Sequence, residues 1–157
     1  MISFQSHSGI YTLKVTQFMA VPMTEAWDFF SSPENLAKIT PEHMGFHMTS
    51  VITEKIYAGQ IITYKVSPIP GIRTRWVTEI THVSEGKYFV DEQRFGPYRM
   101  WHHEHHFEAQ SGGVLMTDLV SYKLPFGMIG RLAHFIFIRK QLQLIFEFRE
   151  KSLERYF

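Results

Sequence analysis

Apolar and polar positions alternate with a period of two along several stretches up to Leu124, interrupted by two short helical stretches between Pro22 and Pro41, and a sustained period near 3.6 sets in from Met128 onward. Between Ile10 and Val21, Tyr11, Leu13 and Val15 fall on one side and Thr12, Lys14 and Thr16 on the other, which predicts a strand ended by Pro22. Thr24 is placed to cap a short helix with Ala26, Trp27, Phe29 and Phe30 as its apolar content. Ser31-Ser32-Pro33 breaks it, and Pro33 opens a second short helix, Glu34 to Ile39, closed by Thr40-Pro41. Strands are then expected over Phe46 to Ile52, Gln60 to Val66 and Ile72 to Val83, with a turn near Gly59 and a bend over Pro68-Ile69-Pro70-Gly71. In the third of these, Trp76, Thr78 and Ile80 face away from Arg75, Val77 and Glu79. Lys87 to Glu108 reads as two strands around a turn at Phe95-Gly96-Pro97. Ser111-Gly112-Gly113 is a hairpin turn, and Val114 to Leu124 alternates with Met116, Asp118, Val120 and Tyr122 on one side.

In the C-terminal stretch, Leu132, Phe135, Ile136, Arg139, Leu142, Ile145, Phe146, Arg149 and Leu153 recur at steps of three and four. That predicts one amphipathic helix from Met128 to Tyr156, about 40 Å long at ~1.5 Å per residue. The strand Pro97 to Glu108 would be as long, about 40 Å at ~3.3 Å per residue. Short connections make the sheet antiparallel. The expectation is an α+β fold over residues 1–157 as one domain: a curved antiparallel sheet of about seven strands around a long C-terminal helix, with two short helices after the first strand. A curled sheet under a helix leaves room for a cavity.

Composition narrows the chemistry. With 45% hydrophobic residues and 14 Phe among 157, there is enough apolar material for a core and for an aromatic pocket lining. A net charge of +1 offers no electrostatic case for nucleic acid. The absence of cysteine excludes disulfides, thiolate catalysis, iron–sulfur clusters and cysteine zinc sites, and suits a reducing cytoplasm. The N-terminus lacks a basic start followed by an apolar run, so no signal peptide is expected. Leu132 to Ile138, interrupted by His134 and followed by Arg139 and Lys140, is too short to span a bilayer.

The densest chemistry lies in Trp101-His102-His103-Glu104-His105-His106. Strand alternation divides it. Trp101, His103, His105 and Phe107 share one face, which carries the aromatic apolar residues and is assigned to the interior. Met100, His102, Glu104, His106 and Glu108 share the other, which reads as a solvated face.

The order of elements resembles the helix-grip fold of the START-like, polyketide-cyclase-like ligand-binding superfamily often called SRPBCC. It resembles in particular a bacterial subgroup of small single-domain proteins, some labelled cell-division inhibitors. The matching segments are Phe29-Phe30-Ser31-Ser32-Pro33-Glu34-Asn35-Leu36, Ile39-Thr40-Pro41, Arg75-Trp76, Phe89-Val90-Asp91-Glu92-Gln93 and Gly96-Pro97-Tyr98. They continue with Trp101-His102-His103, His105, Phe107, Met116-Thr117-Asp118 and Tyr122-Lys123-Leu124-Pro125-Phe126-Gly127. The wider superfamily includes lipid carriers, hormone receptors and cyclases, so the resemblance implies a deep apolar cavity rather than a given reaction. It implies no cofactor, no metal and no catalytic triad.

Inward-facing His103 and His105 need partners, because buried polar groups are almost always hydrogen-bonded. The inward-placed carboxylates Asp118 and Asp91 need partners as well, and His103, His105 and Arg75 are the candidates. Such a His–Asp pair serves equally as a structural network or as a general base, which makes His103, His105, Asp118 and Asp91 the catalytic candidates if the protein is an enzyme. Two His at i and i+2 with a third ligand from Asp118 or Asp91 also suit a metal, but His-x-His alone is a weak signal and no metal is assigned. The expected ligand-binding set is Trp76, Gln93, Tyr98, Trp101, His103, His105, Asp118, Tyr122 and Arg139, with Arg139 and Arg149 as alternative anchors for an anionic group. Pro125-Phe126-Gly127 and the loop Pro68 to Gly71 are placed at the cavity mouth. The leading functional expectation is non-catalytic binding of a small hydrophobic or amphipathic molecule in the cytoplasm. The others are a cyclase, hydratase or hydrolase working in the same cavity, and an interaction protein of division or stress machinery presenting Arg155-Tyr156-Phe157.

Overall fold

The computed structural model describes residues 1–51, 53–69 and 71–157; Ile52, at the end of one expected strand, and Pro70, in the expected bend, lie outside them. Among the described residues, eight strands form one antiparallel sheet: β1 (Ile2–His7), β2 (Ile10–Met19), β3 (His47–Met48), β4 (Ile61–Ile69), β5 (Ile72–Ser84), β6 (Tyr88–Phe95), β7 (Met100–Gln110) and β8 (Gly113–Lys123). Their spatial order is β1-β2-β8-β7-β6-β5-β4-β3. Among the described residues, the return of β8 onto β2, with Leu13 opposite Val120 and Val15 opposite Asp118, is the one pairing between strands that do not follow each other in the chain. Period-two alternation then puts Leu13 and Val15 of β2, His103, His105 and Phe107 of β7, and Val114, Met116, Asp118, Val120 and Tyr122 of β8 in the interior.

The sheet has eight strands rather than about seven because β1 was hidden by its composition. Only Ile2 and Phe4 of its six residues are apolar, so it carries little alternation. What makes it a strand is the turn that follows, where Ser8 (φ 51°) and Gly9 (φ 77°) both take the positive φ of a two-residue hairpin loop. At the other edge, the strand expected over Phe46 to Ile52 is paired only at His47–Met48.

The helix α1 (Met23–Phe30) starts from Pro22, and no side chain caps it, so Thr24 does not have the expected role. Pro33–Ile39 is a 3-10 helix, with the Asn35 amide donating to the Phe29 carbonyl at 2.8 Å. At the end of the chain, α2 (Gly127–Ala133), a π-helical turn (His134–Ile138) and α3 (Arg139–Tyr156) run on as one helix of 30 residues. Among the described residues, no helix is long and apolar enough to cross a membrane. Leu142 and Phe146 of α3 pack on Leu13, Val15, Val120 and Tyr122, while α1 covers Phe89, Phe107, Val114 and Met116 through Ala26 and Trp27. Tyr156 and Phe157 lie against Phe29, with ring centroids at 5.4 and 5.2 Å.

The apolar stripe expected along the whole helix splits in two. Leu142, Phe146 and Leu153 are buried, but Leu132, Phe135, Ile136 and Arg139 are exposed. The reason is the π turn, closed by the Arg139 amide donating to the His134 carbonyl one residue further back than in an α-helix. Such a turn shifts the phase of everything that follows it. Upstream of it the helix docks instead through Gly130 and His134, both buried. His134 Nε2 shares a 2.7 Å hydrogen bond with the Tyr122 hydroxyl, and its ring stacks on Tyr11 at 3.5 Å. A Cβ on Gly130 would stand 2.1 Å from the Pro125 carbonyl oxygen. Gly130→Ala is therefore expected to lower stability by about 1–3 kcal/mol through overpacking, although Gly→Ala in an unhindered helix gains roughly 0.5–1 kcal/mol. Urea unfolding of the two proteins measures the sign directly.

Candidate functional site

Three neighbouring strands bring four titratable side chains together by register alone. Asp91 of β6 stands opposite His103 of β7, and His105 of β7 stands opposite Asp118 of β8. All four are on the interior face, and the closest contacts run diagonally. His103 Nε2 lies 2.8 Å from Asp118 Oδ1, and His105 Nε2 lies 2.8 Å from Asp91 Oδ2. The remaining nitrogens also face carboxylates: His103 Nδ1 is 3.7 Å from Asp91, and His105 Nδ1 is 2.9 Å from Asp118 but out of line for a hydrogen bond. Arg149 of α3 closes the group, its Nη1 3.9 Å from Asp118 Oδ1 and its guanidinium 4.9 Å from the centre of the Phe146 ring. Phe89 stacks on His105 at 4.1 Å.

These neighbours split the two imidazoles. Burial pushes the His103 pKa down, helped by the charge of His105 and opposed by Asp118 and Asp91. Burial acts the same way on His105, but the two carboxylates outweigh it and its pKa is raised. Burial would raise Asp118 and Asp91; hydrogen bonding to the imidazoles and the nearby positive charges hold both below the usual carboxylate range. Around pH 6.5, between the lowered His103 and the raised His105, the group thus consists of two carboxylates, one imidazolium, one neutral imidazole and one guanidinium. Its charges cancel, which is how ions are accommodated inside a protein.

A cavity of about 180 Å³ opens beside this group, between the inner face of the sheet, the 3-10 helices Pro33–Ile39 and Glu42–Met44, and α3. At roughly 15 Å³ for the centre of each water it has room for on the order of ten water molecules. Met44, Ile62, Val66, Leu142, Ile145 and Phe146 supply apolar wall, and Trp76, Tyr98 and Trp101 an aromatic one. The polar end is Asp91, His103, His105 and Arg149. Two lining residues, Trp76 and Arg149, have buried nitrogens, Nε1 and Nε, without a hydrogen-bond partner among the described residues. Tyr64 and Thr78 meet at 3.3 Å on the facing wall.

Of the residues expected to bind ligand, Trp76, Tyr98, Trp101, His103 and His105 line the cavity, as does Asp91. Four do not. Asp118 lies behind the imidazoles it holds. Gln93 folds back to clamp the β6–β7 turn, donating to the Tyr98 carbonyl at 2.7 Å and accepting from the Tyr98 amide at 3.1 Å. Tyr122 is fully buried in the core against His134. Arg139 is exposed beyond the β1 edge, 5.0 Å over the Phe4 ring. Of the two arginines of α3, Arg149 lines the cavity and Arg139 is exposed. Pro68 reaches the cavity, whereas Pro125-Phe126-Gly127 is not part of its lining. Tyr64 escaped the sequence reading, although Ile62, Tyr64 and Val66 share one face of β4. On the outer face, His102 and His106 pair with Glu92 and Glu104 at 2.7 and 2.9 Å.

Asp91, His103 and His105 also present ligand atoms within 4.8 Å of one another, the spacing of a metal site. Both Nε2 atoms are already hydrogen-bonded to carboxylates, so a cation would have to displace those bonds.

No family model matches the chain, and no curated protein matches its sequence. Solved structures do match its fold. A protein from Arthrobacter aurescens, solved by NMR in solution, has a TM-score of 0.71 at 11% identity, covering 98% of this chain and 91% of that one. Protein Ms6760 from Mycobacterium smegmatis has a TM-score of 0.65 at 16% identity, with both chains covered completely. Ara h 8.0201 has a TM-score of 0.59 at 13% identity, covering 94% of this chain and 99% of that one. At these identities the likeness is one of fold: an antiparallel sheet wrapped on a long C-terminal helix, the helix-grip arrangement.

The buried group sets a pH profile for stability. His105, raised, contributes fully below the unfolded value of about 6.5 and loses its contribution as pH rises through its folded value. His103, lowered, acts oppositely, because below about pH 6.5 the unfolded chain takes up a proton that the folded one refuses. Asp91 and Asp118, lowered, contribute fully above about pH 3.9 and lose it as pH falls further. The contribution of the group peaks around pH 6.5 and declines on both sides. Urea unfolding across pH 4 to 9 is expected to show the alkaline decline flattened in His105→Gln and the decline between about pH 6.5 and 4 flattened in His103→Gln.

Proposed function

We propose that this protein binds a small amphipathic molecule in the cavity between sheet and helix, as a member of the START-like superfamily its motifs resemble. The observation that carries the reading is an apolar and aromatic chamber with one polar end, whose lining residues Trp76 and Arg149 each keep a buried donor, Nε1 and Nε, without a partner among the described residues. An unsatisfied buried donor costs about 1–3 kcal/mol, and a ligand oxygen at that end relieves the cost. The aromatic wall suits a ring or short acyl body, whose burial supplies about 25 cal/mol per Å². The fitting ligand is a compact ring-bearing or short-chain molecule with one carbonyl or carboxylate at its polar end. The aromatic end of the chain supports an interaction role less well, since Tyr156 and Phe157 are already engaged with Phe29.

Native mass spectrometry of protein purified from its own host is expected to find a bound mass that organic solvent releases. Trp76→Phe keeps the wall and removes one donor, so affinity for that molecule should fall about fivefold, near 1 kcal/mol. Repeated preparations without bound mass, together with no displacement of an apolar fluorescent probe, would count decisively against the reading.

A second reading rests on His103. It is a neutral imidazole at the cavity wall, oriented by the carboxylate of Asp118 at 2.8 Å, which is the arrangement of a general base. For a cyclase, hydratase or hydrolase, His103→Gln should lower turnover by about 10²-fold or more while cooperative unfolding is retained. Screening acyl and aromatic substrates with both proteins checks this, and no turnover by the wild-type chain ends it.

A further inference from the structure

The first part of the C-terminal helix is an amphipathic helix mounted with its apolar side outward. Met128, Ile129, Leu132, Phe135 and Ile136 are 83, 74, 60, 81 and 68% exposed. Met128, Leu132, Phe135 and Ile136 are spaced i, i+4, i+7 and i+8, so they form one stripe. Phe126, whose left-handed backbone (φ 65°) starts the helix, adds a further side chain, 80% exposed. This is not a frayed end. Gly130 against Pro125, and His134 against Tyr122 and Tyr11, hold the opposite side of the helix to the domain.

Charge is segregated in the same place. The whole chain is nearly balanced, with 16 Lys and Arg against 15 Asp and Glu. From Leu119 to Phe146, however, the sequence holds Lys123, Arg131, Arg139 and Lys140 and no acidic residue. Arg131, Arg139 and Lys140 are exposed on the same helix as the stripe. An apolar stripe on a helical segment that carries cations and no acid is complementary to an anionic lipid surface, where the stripe enters the acyl boundary and the cations meet the head groups. A second copy of the chain is a poorer occupant. A two-fold contact over the stripe would bring both sets of cations together with no acid in the segment to pair them.

We propose that this face docks the protein on anionic phospholipid membranes as a peripheral, non-spanning helix. The proposal does not rest on the cavity reading, because none of the stripe residues lines the cavity.

The test is flotation of the full chain with vesicles of phosphatidylcholine alone and of phosphatidylcholine and phosphatidylglycerol in equal parts. Binding is expected only to the anionic vesicles and is expected to weaken with added salt. Leu132→Ser combined with Phe135→Ser should reduce it by about tenfold or more, with the melting temperature and any cavity ligand unchanged. Arg131→Gln and Lys140→Gln should each reduce it about fivefold. The proposal is overturned by a folded wild-type chain that does not bind anionic vesicles, or by serine variants that bind as well as wild type. It is equally overturned if sedimentation shows a dimer that the serine variants split.

Discussion

Two carboxylates and two imidazoles inside a small domain are tolerable only together. Each charge removed from water alone would cost several kcal/mol, yet here every imidazole nitrogen faces a carboxylate and Arg149 completes neutrality. The rest of the interior is arranged around that constraint. The β6–β7–β8 register must hold Asp91 opposite His103 and His105 opposite Asp118, because a slip of one residue would turn these side chains to the outer face. Helix α3 must lie where Arg149 can reach. The turn clamped by Gln93 keeps β6 and β7 in step.

The same group gives the cavity its polarity. An apolar chamber alone would take any compact hydrocarbon. Under the proposed binding role, a chamber ending in Asp91, His103, His105 and Arg149 would favour a ligand with an oxygen at one end. The second reading uses the same end of the chamber, where His103 rests on the carboxylate of Asp118. Structure and chemistry draw here on one set of residues, so a variant at His103 has to be read for both.

The long helix divides its work at the π turn. Beyond the turn it closes the core and supplies Leu142, Phe146 and Arg149 to the chamber. Before the turn it rests on two small points of contact, Gly130 and His134, and leaves its apolar side free. One continuous element therefore serves the interior and an outer surface, and the extra residue per turn lets it change faces without a break.

Period-two alternation in Trp101 to Phe107 was enough to separate inward His103 and His105 from outward His102 and His106, since side chains on a strand alternate by stereochemistry. It also turned Asp118 inward through Met116, Val120 and Tyr122. The elements and their antiparallel order were legible in the same way, apart from β1, whose polar sequence hides a strand made by its turn. Which carboxylate meets which imidazole was not legible, because it depends on inter-strand register. Nor was the exclusion of Gln93, Tyr122 and Arg139 from the chamber, because local pattern assigns a face but not a depth. Periodicity carried the helical stripe straight through His134 to Ile138. Only the packing of Gly130 on Pro125 and of His134 on Tyr122 and Tyr11, with the phase shift of the π turn, decided that one half of the stripe is core and the other half is surface.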